Sequence, residues 1–286
     1  MKCIIYLVMI LIVFSGLSAI KYIPICYLHR ITNVSDNGYF NQFMKYLNDS
    51  GYTTITIEQY GLIREGKMES PKKPIILNFD DGRKEIIERA YPIMAKYGYV
   101  GVIAYPVKAT WFNPKMNSSD LKFLISQGWE VGSHGWEGQN LYTYYKGDMN
   151  KIYKELNQSK YEIGLMTGVE PEYYVFPENG ANQTIMDMCL KVYKYCSSNV
   201  TMSDWNQITY IQRIDYGLGR TYCEGSKIDS NINNDMIMIK LRLNKIFQGD
   251  FMTGKAINMT EPVKIEPPKE VNTTINGYKY RCTLEE

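Results

Sequence analysis

The chain has 286 residues, 45% hydrophobic and 22% charged, the balance of a folded protein with room for one large domain or two small ones. Its 32 Lys and Arg against 30 Asp and Glu leave a net charge of +2, too little to drive non-specific phosphate binding, so a nucleic-acid partner is not expected. Only 2 histidines occur, His29 and His134, and no site in this chain can use more than these two imidazoles.

In chain order, Met1-Lys2 precedes an uncharged apolar run from Cys3 to Ile20 that ends in small residues around Gly16 and Ser18. That is the pattern of a cleaved export signal, although the run is also long enough to stay as a short membrane anchor. Residues 1–20 are therefore expected to be a signal or anchor, 21–254 the folded domain, and 255–286, with Pro267-Pro268 and no helical period, an extended tail. Export makes a countable prediction. With 21 Asn, 15 Ser and 16 Thr in the chain, about 2 N-glycosylation tripeptides are expected by chance, yet 8 occur, beginning at Asn33, Asn48, Asn117, Asn157, Asn182, Asn199, Asn258 and Asn272. Beyond Cys3 the cysteines are Cys26, Cys189, Cys196, Cys223 and Cys282, with no Cys-x-x-Cys among them. One or two disulfides among the last four fit an exported chain, with Cys26 buried as a small hydrophobe.

After the apolar run, strand-like segments alternate with helical ones. Tyr22 to Leu28, Thr53 to Ile57, Pro74 to Phe79, Val100 to Tyr105, Trp129 to Gly132, Tyr173 to Phe176 and Ile208 to Ile214 read as strands. Tyr39 to Asn48, Lys84 to Lys96, Asp120 to Ser126, Asp148 to Leu165 and Gln183 to Tyr195 read as helices, with Pro92 expected to kink the second. This alternation predicts an α/β fold of parallel strands and crossover helices, barrel-like rather than two-domain.

Chemistry-bearing residues fall where these strands end. Ile75-Ile76-Leu77-Asn78-Phe79 runs into Asp80-Asp81-Gly82; adjacent acids point different ways, so one can hold a metal while the other takes a proton. A turn in which either acid caps the following helix is the structural alternative. His134 follows the Trp129 strand in Gly132-Ser133-His134-Gly135-Trp136-Glu137-Gly138-Gln139-Asn140-Leu141, and His29 closes the first strand. In parallel α/β folds such ends share one edge, where active sites gather. A neutral imidazole there could join Asp81 around a divalent metal. Trp136, close to His134, is the aromatic best placed to stack on a sugar.

Asn78-Phe79-Asp80-Asp81-Gly82 resembles the Thr-Phe-Asp-Asp-Gly motif of the polysaccharide deacetylases, the NodB-homology group or carbohydrate esterase family 4. Ile23-Pro24-Ile25-Cys26-Tyr27-Leu28-His29-Arg30-Ile31 resembles that family's opening strand, and Gly51 to Thr56 and Ala90 to Gly98 are similar to later segments in the expected order. The resemblance implies a distorted (β/α) barrel of the NodB type and an exported, secreted or cell-surface hydrolase that removes N-acetyl groups from a glycan. It implies Asp80 as the base, and Asp81 and His134 as ligands of a divalent metal, zinc foremost. The resemblance also has gaps. In the register Ser133-His134-Gly135-Trp136-Glu137-Gly138, the second histidine of the family's His-x-x-x-His is Gly138, and no histidine follows His134 to serve as the family's acid. Two readings stay open. Either the site is rebuilt, with Glu137 or His29 as third ligand, or the barrel persists as a silent glycan-binding or structural surface protein.

Overall fold

A computed structural model describes residues 23–198, apart from 32–33, 36–37 and 110–112, together with strand segments at 210–212, 214–215, 271–275 and 278–282. The apolar run at 1–20 and the glycosylation tripeptides starting at Asn33, Asn199 and Asn258 lie outside the described residues.

Eleven strands and seven α-helices are described. The strands are β1 (Ile25–Leu28), β2 (Thr53–Thr54), β3 (Pro74–Phe79), β4 (Val102–Tyr105), β5 (Glu130–Ser133), β6 (Tyr173–Val175), β7 (Tyr195–Ser198), β8 (Tyr210–Gln212), β9 (Ile214–Asp215), β10 (Val271–Ile275) and β11 (Tyr278–Cys282). The helices are α1 (Tyr39–Asp49), α2 (Ile57–Arg64), α3 (Tyr91–Ala95), α4 (Ser118–Ser126), α5 (Leu141–Tyr144), α6 (Met149–Thr167) and α7 (Gln183–Cys189). The main sheet runs β8-β7-β6-β5-β4-β3-β1-β9, with β2 also on β3, and every pairing in it is parallel. Its two end strands, β8 and β9, are joined through Arg213 alone. A residue spans at most about 3.6 Å and neighbouring strands lie about 4.8 Å apart, so one linking residue cannot bridge the two ends of a flat sheet. The sheet must curl until its ends meet, which makes the fold the expected distorted (β/α) barrel. Within the tail, β10 and β11 pair antiparallel as a separate two-stranded sheet.

Strand alternation sorts the core into two layers. Ile25, Ile76, Val102, Ala104, Tyr173, Val175 and Tyr195 pack with one another on one face. Cys26, Leu28, Ile75, Leu77, Phe79, Ile103 and Tyr105 face the other way, against Phe40, Phe43, Met44 and Leu47 of α1 and Leu121 and Leu124 of α4. All six residues of β3 are buried, as a strand covered on both faces requires. Asn78 and Asp80 continue the Ile76 row at period two.

Of the departures from the sequence reading, three have a clear local reason. Strand β2 stops at Thr54 because Thr56 caps a helix: its side chain accepts from the Gln59 backbone N–H while the Gln59 side chain accepts from the Thr56 N–H. Lys84 to Lys96 is not one α-helix. Ile86–Ala90 is a π-helical turn whose following residue, Tyr91, donates its N–H five residues back to Ile86, ahead of Pro92, which has no N–H of its own. Helix α7 ends at Cys189, and Tyr195–Ser198 is a fully buried strand, because packing beside β6 overrides local helical preference. A Cys189–Cys196 disulfide ties these two elements, and Cys26 is buried in β1.

Candidate active site

Strand register brings the flagged residues to one edge. Leu28 pairs with Phe79, so His29 and Asp80 emerge side by side; Phe79 pairs with Ile103 and Tyr105 with Ser133, so Asp81 and His134 leave the sheet at nearly the same height, two strands apart. Strands about 4.8 Å apart put that separation near 10 Å between main chains, which two inward side chains can close.

Asp80 is 1% exposed and carries two neighbours. The Asn78 amide donates to its Oδ1 at 2.6 Å, and His29 Nε2 lies 3.8 Å from its Oδ2. His29, with a side chain 31% exposed, is the more accessible member and packs edge-on to Tyr27. Asp81 is 4% exposed and sits at φ 74°, followed by Gly82 at φ 60°. A Cβ at residue 82 would lie 2.4 Å from the Tyr105 ring, so only glycine fits. These two left-handed residues fold the chain back, and Arg83 Nε reaches Asp81 Oδ2 at 3.3 Å. Burial pushes the Asp81 carboxyl above the usual carboxylate range; His134 pulls it down, Asp80 pushes it up, and His29 and Arg83 pull it down.

His134 is 6% exposed, and its Nδ1 lies 2.9 Å from the Val175 carbonyl. A carbonyl can only accept, so Nδ1 carries a proton there; in the neutral tautomer this leaves the Nε2 lone pair facing away from that carbonyl.

The turn beyond His134 is organised by a residue that sequence reasoning passed over. Glu155 of α6 is buried, and its Oε1 accepts the backbone N–H groups of Trp136 and Glu137, both at 2.8 Å, while its Oε2 accepts the Tyr145 hydroxyl at 2.8 Å. Gly135 and Gly138 have φ of 89° and 72°, and a Cβ at residue 135 would lie 3.0 Å from Glu155 Oε1. The turn is thus wrapped on a carboxylate, and position 138, where a second histidine would stand, has a backbone that favours glycine. Glu137 lies on the Glu155 and Tyr145 side, where its charge raises the pKa of both. Trp136 donates its Nε1–H to Glu162, and Lys108 sits 3.5 Å over its ring, which occupies one stacking face. Among the described residues no three His, Cys, Asp or Glu side chains gather as a metal-holding group.

A signal for Glu155 existed in the sequence: it shares the buried stripe of α6 with Ile152, Leu156, Ser159 and Ile163. Arg83 had none, because its contact depends on the backbone turn at residues 81–82.

A curled parallel barrel with an acid pair and two imidazoles at its C-terminal edge defines an α/β barrel of the kind that carries its site at that edge. Comparison with known proteins narrows that class. Residues 67–194 match the family model described as Polysaccharide deacetylase. YxkH of Bacillus subtilis is 28% identical over 95 residues, 33% of this chain and 34% of its own length. Poly-beta-1,6-N-acetyl-D-glucosamine N-deacetylase of Staphylococcus aureus is 29% identical over 133 residues, 42% of this chain and 45% of its own length. The matched stretch is thus less than half the length of these curated relatives. The structure of Streptococcus pyogenes deacetylase PplD in complex with acetate superposes with a TM-score of 0.60 at 20% identity, over 68% of this chain and 91% of that one. Over residues 67–194 the chain is thus similar to the polysaccharide deacetylase family.

Proposed function

We propose that this chain is an exported N-deacetylase of an N-acetylated polysaccharide, a hydrolase that breaks a carbon–nitrogen bond other than a peptide. The observation that carries this reading is Asp80, buried at the barrel edge with Asn78 on one oxygen and His29 near the other. Asp80 takes a proton from water as the water oxygen adds to the acetamide carbonyl carbon. The carbon–nitrogen bond then breaks, the nitrogen takes up a proton, and acetate leaves. His29, half-exposed beside Asp80, is the group in reach to deliver that proton. The names of similar proteins support the substrate class: the Staphylococcus aureus relative is a poly-N-acetylglucosamine deacetylase, and PplD was solved with acetate, the acid such a reaction releases.

A divalent metal, usually the activator of water in this family, is where the chain departs. Asp81 and His134 are the two donors available, a catalytic zinc normally takes three protein ligands, and the turn at 135–138 is committed to Glu155. The residues do not fit that metal, and no step above passes through one. Glycine at 138 favours a second reading, a silent deacetylase-like barrel that binds glycan or serves as a surface scaffold. The apolar N-terminal run, the 8 glycosylation tripeptides and the Cys189–Cys196 disulfide support export and a secreted or surface location. No helix among the described residues is long and apolar enough to cross a membrane, and membrane contact is assigned to an uncleaved N-terminal segment alone.

The test is to incubate the full chain with N-acetylglucosamine oligomers and follow acetate and free amine. Release by wild type that disappears in Asp80→Asn supports the deacetylase. Retention of the oligomers without release supports the silent binder.

A further inference from the structure

The turn after β3 joins two opposite charges in a place that a cation would otherwise need. Asp81 and Arg83 are both largely buried, with side chains 6% and 18% exposed, and their contact is made by Arg83 Nε at 3.3 Å from Asp81 Oδ2. The backbone around them is stitched to the loop after β4. Arg83 forms an antiparallel bridge with Lys115, the Lys84 N–H donates to the Pro114 carbonyl, and the Met116 N–H donates to the Gly82 carbonyl. The Tyr105 hydroxyl adds a further tie to the Met116 carbonyl. Arg83 is therefore fixed by its main chain on both sides and is not a surface arginine that happens to fold inward.

A buried ion pair held in this way resists exchange. Removing one partner leaves the other as an uncompensated buried charge, and a guanidinium keeps its proton at any pH the fold survives. A divalent ion approaching Asp81 would meet a fixed positive charge already held on one of its carboxylate oxygens, and would have to share the carboxylate with it.

We propose that the Arg83 guanidinium is the resident cation of this site: it neutralises Asp81, supplies the fixed positive charge at the barrel edge, and excludes a divalent metal. This deepens the functional reading above, resting on it only for the identity of the site. The disagreement between donor set and family chemistry then has a cause within the chain. Arg83 has taken over the carboxylate, and Glu155 has taken over the turn that would bring the third ligand.

The test is zinc titration of the full chain by competition with a chromogenic chelator, comparing wild type, Arg83→Lys and Arg83→Met. Wild type and Arg83→Lys are expected to take up no stoichiometric zinc, and Arg83→Met to bind it at least about tenfold more tightly than wild type, a gain that Asp81→Asn abolishes in the same background. One equivalent of zinc in wild type, with an affinity that Arg83→Met leaves unchanged, overturns the proposal. So does a gain in Arg83→Met that survives Asp81→Asn, because the zinc is then bound elsewhere. One equivalent of zinc bound by wild type overturns the proposal whatever the variants do, so that refuting outcome does not depend on how well a variant folds. Zinc uptake is read without turnover. A wild type that excludes zinc and releases no acetate refutes the deacetylase reading alone, and a wild type that releases acetate only with added zinc refutes this proposal alone.

Discussion

Replacing Glu155 by alanine removes three contacts at once, two backbone N–H groups on Oε1 and the Tyr145 hydroxyl on Oε2. Hydrogen bonds to a charged acceptor contribute about 1.5–3 kcal/mol each, and buried donors left without a partner cost more than the mean. Against this, burial already pushes the Glu155 carboxyl above its ordinary range, so part of the gain is spent on desolvation in the native protein. The net expectation for Glu155→Ala is a loss of about 4 kcal/mol. Glu155→Gln keeps an acceptor oxygen for the two amides and presents an NH₂ that can donate to the Tyr145 hydroxyl, so it is expected within about 1 kcal/mol of wild type. Urea unfolding with linear extrapolation reads both values, and hydrogen exchange at the Trp136 and Glu137 amides tells whether the turn itself has come loose. An alanine variant within about 1 kcal/mol of wild type, or a glutamine variant as weak as alanine, would refute Glu155 as the clamp of this turn.

Other expectations follow from the same structure. Asp80→Asn should lower acetate release by about 10²-fold or more while glycan affinity stays within a few-fold, as steady-state kinetics and equilibrium binding would read separately. Burial raises Glu130, which accepts the Glu58 backbone N–H at the opposite end of β5, from 4.5 to about 7. The folded state then holds more protons than the unfolded chain between those values, so this contribution to stability is complete below pH 4.5 and lost as pH rises towards 7. Thermal unfolding across that range should show a decline that Glu130→Gln flattens; an equal decline in the variant would assign it to other groups. Gly138→His should cost about 1–2 kcal/mol, because φ is 72° there, and should gain little zinc affinity while Arg83 is present. A stable, zinc-loaded Gly138→His protein would show the turn to be freer than its contacts imply.

The barrel was legible in the sequence because parallel strands buried on both faces leave apolar runs, and Pro74–Phe79 has the same bounds in sequence and structure. Closure was not, because it depends on two short segments on either side of Arg213 pairing with opposite ends of the sheet. Among site residues, Asp80, Asp81, His29 and His134 were found at strand ends, since the periodicity marks those ends. The counter-charges were not. Arg83 reaches Asp81 through a pair of left-handed residues, a conformation that Gly82 invites but that Asp81 does not advertise. Glu155 was hidden in the opposite way: a helix period places it inward, yet a glutamate is ordinarily assigned to the solvent face, and its true role depends on two amides nearly twenty residues earlier.

The most direct measurement is acetate release from N-acetylglucosamine oligomers in the presence of a metal chelator, for wild type and Asp80→Asn side by side. Steady release by wild type and its near-complete loss in the variant is the expected result. Equal release by both, or none from either with or without added zinc, would contradict a hydrolytic site built on Asp80.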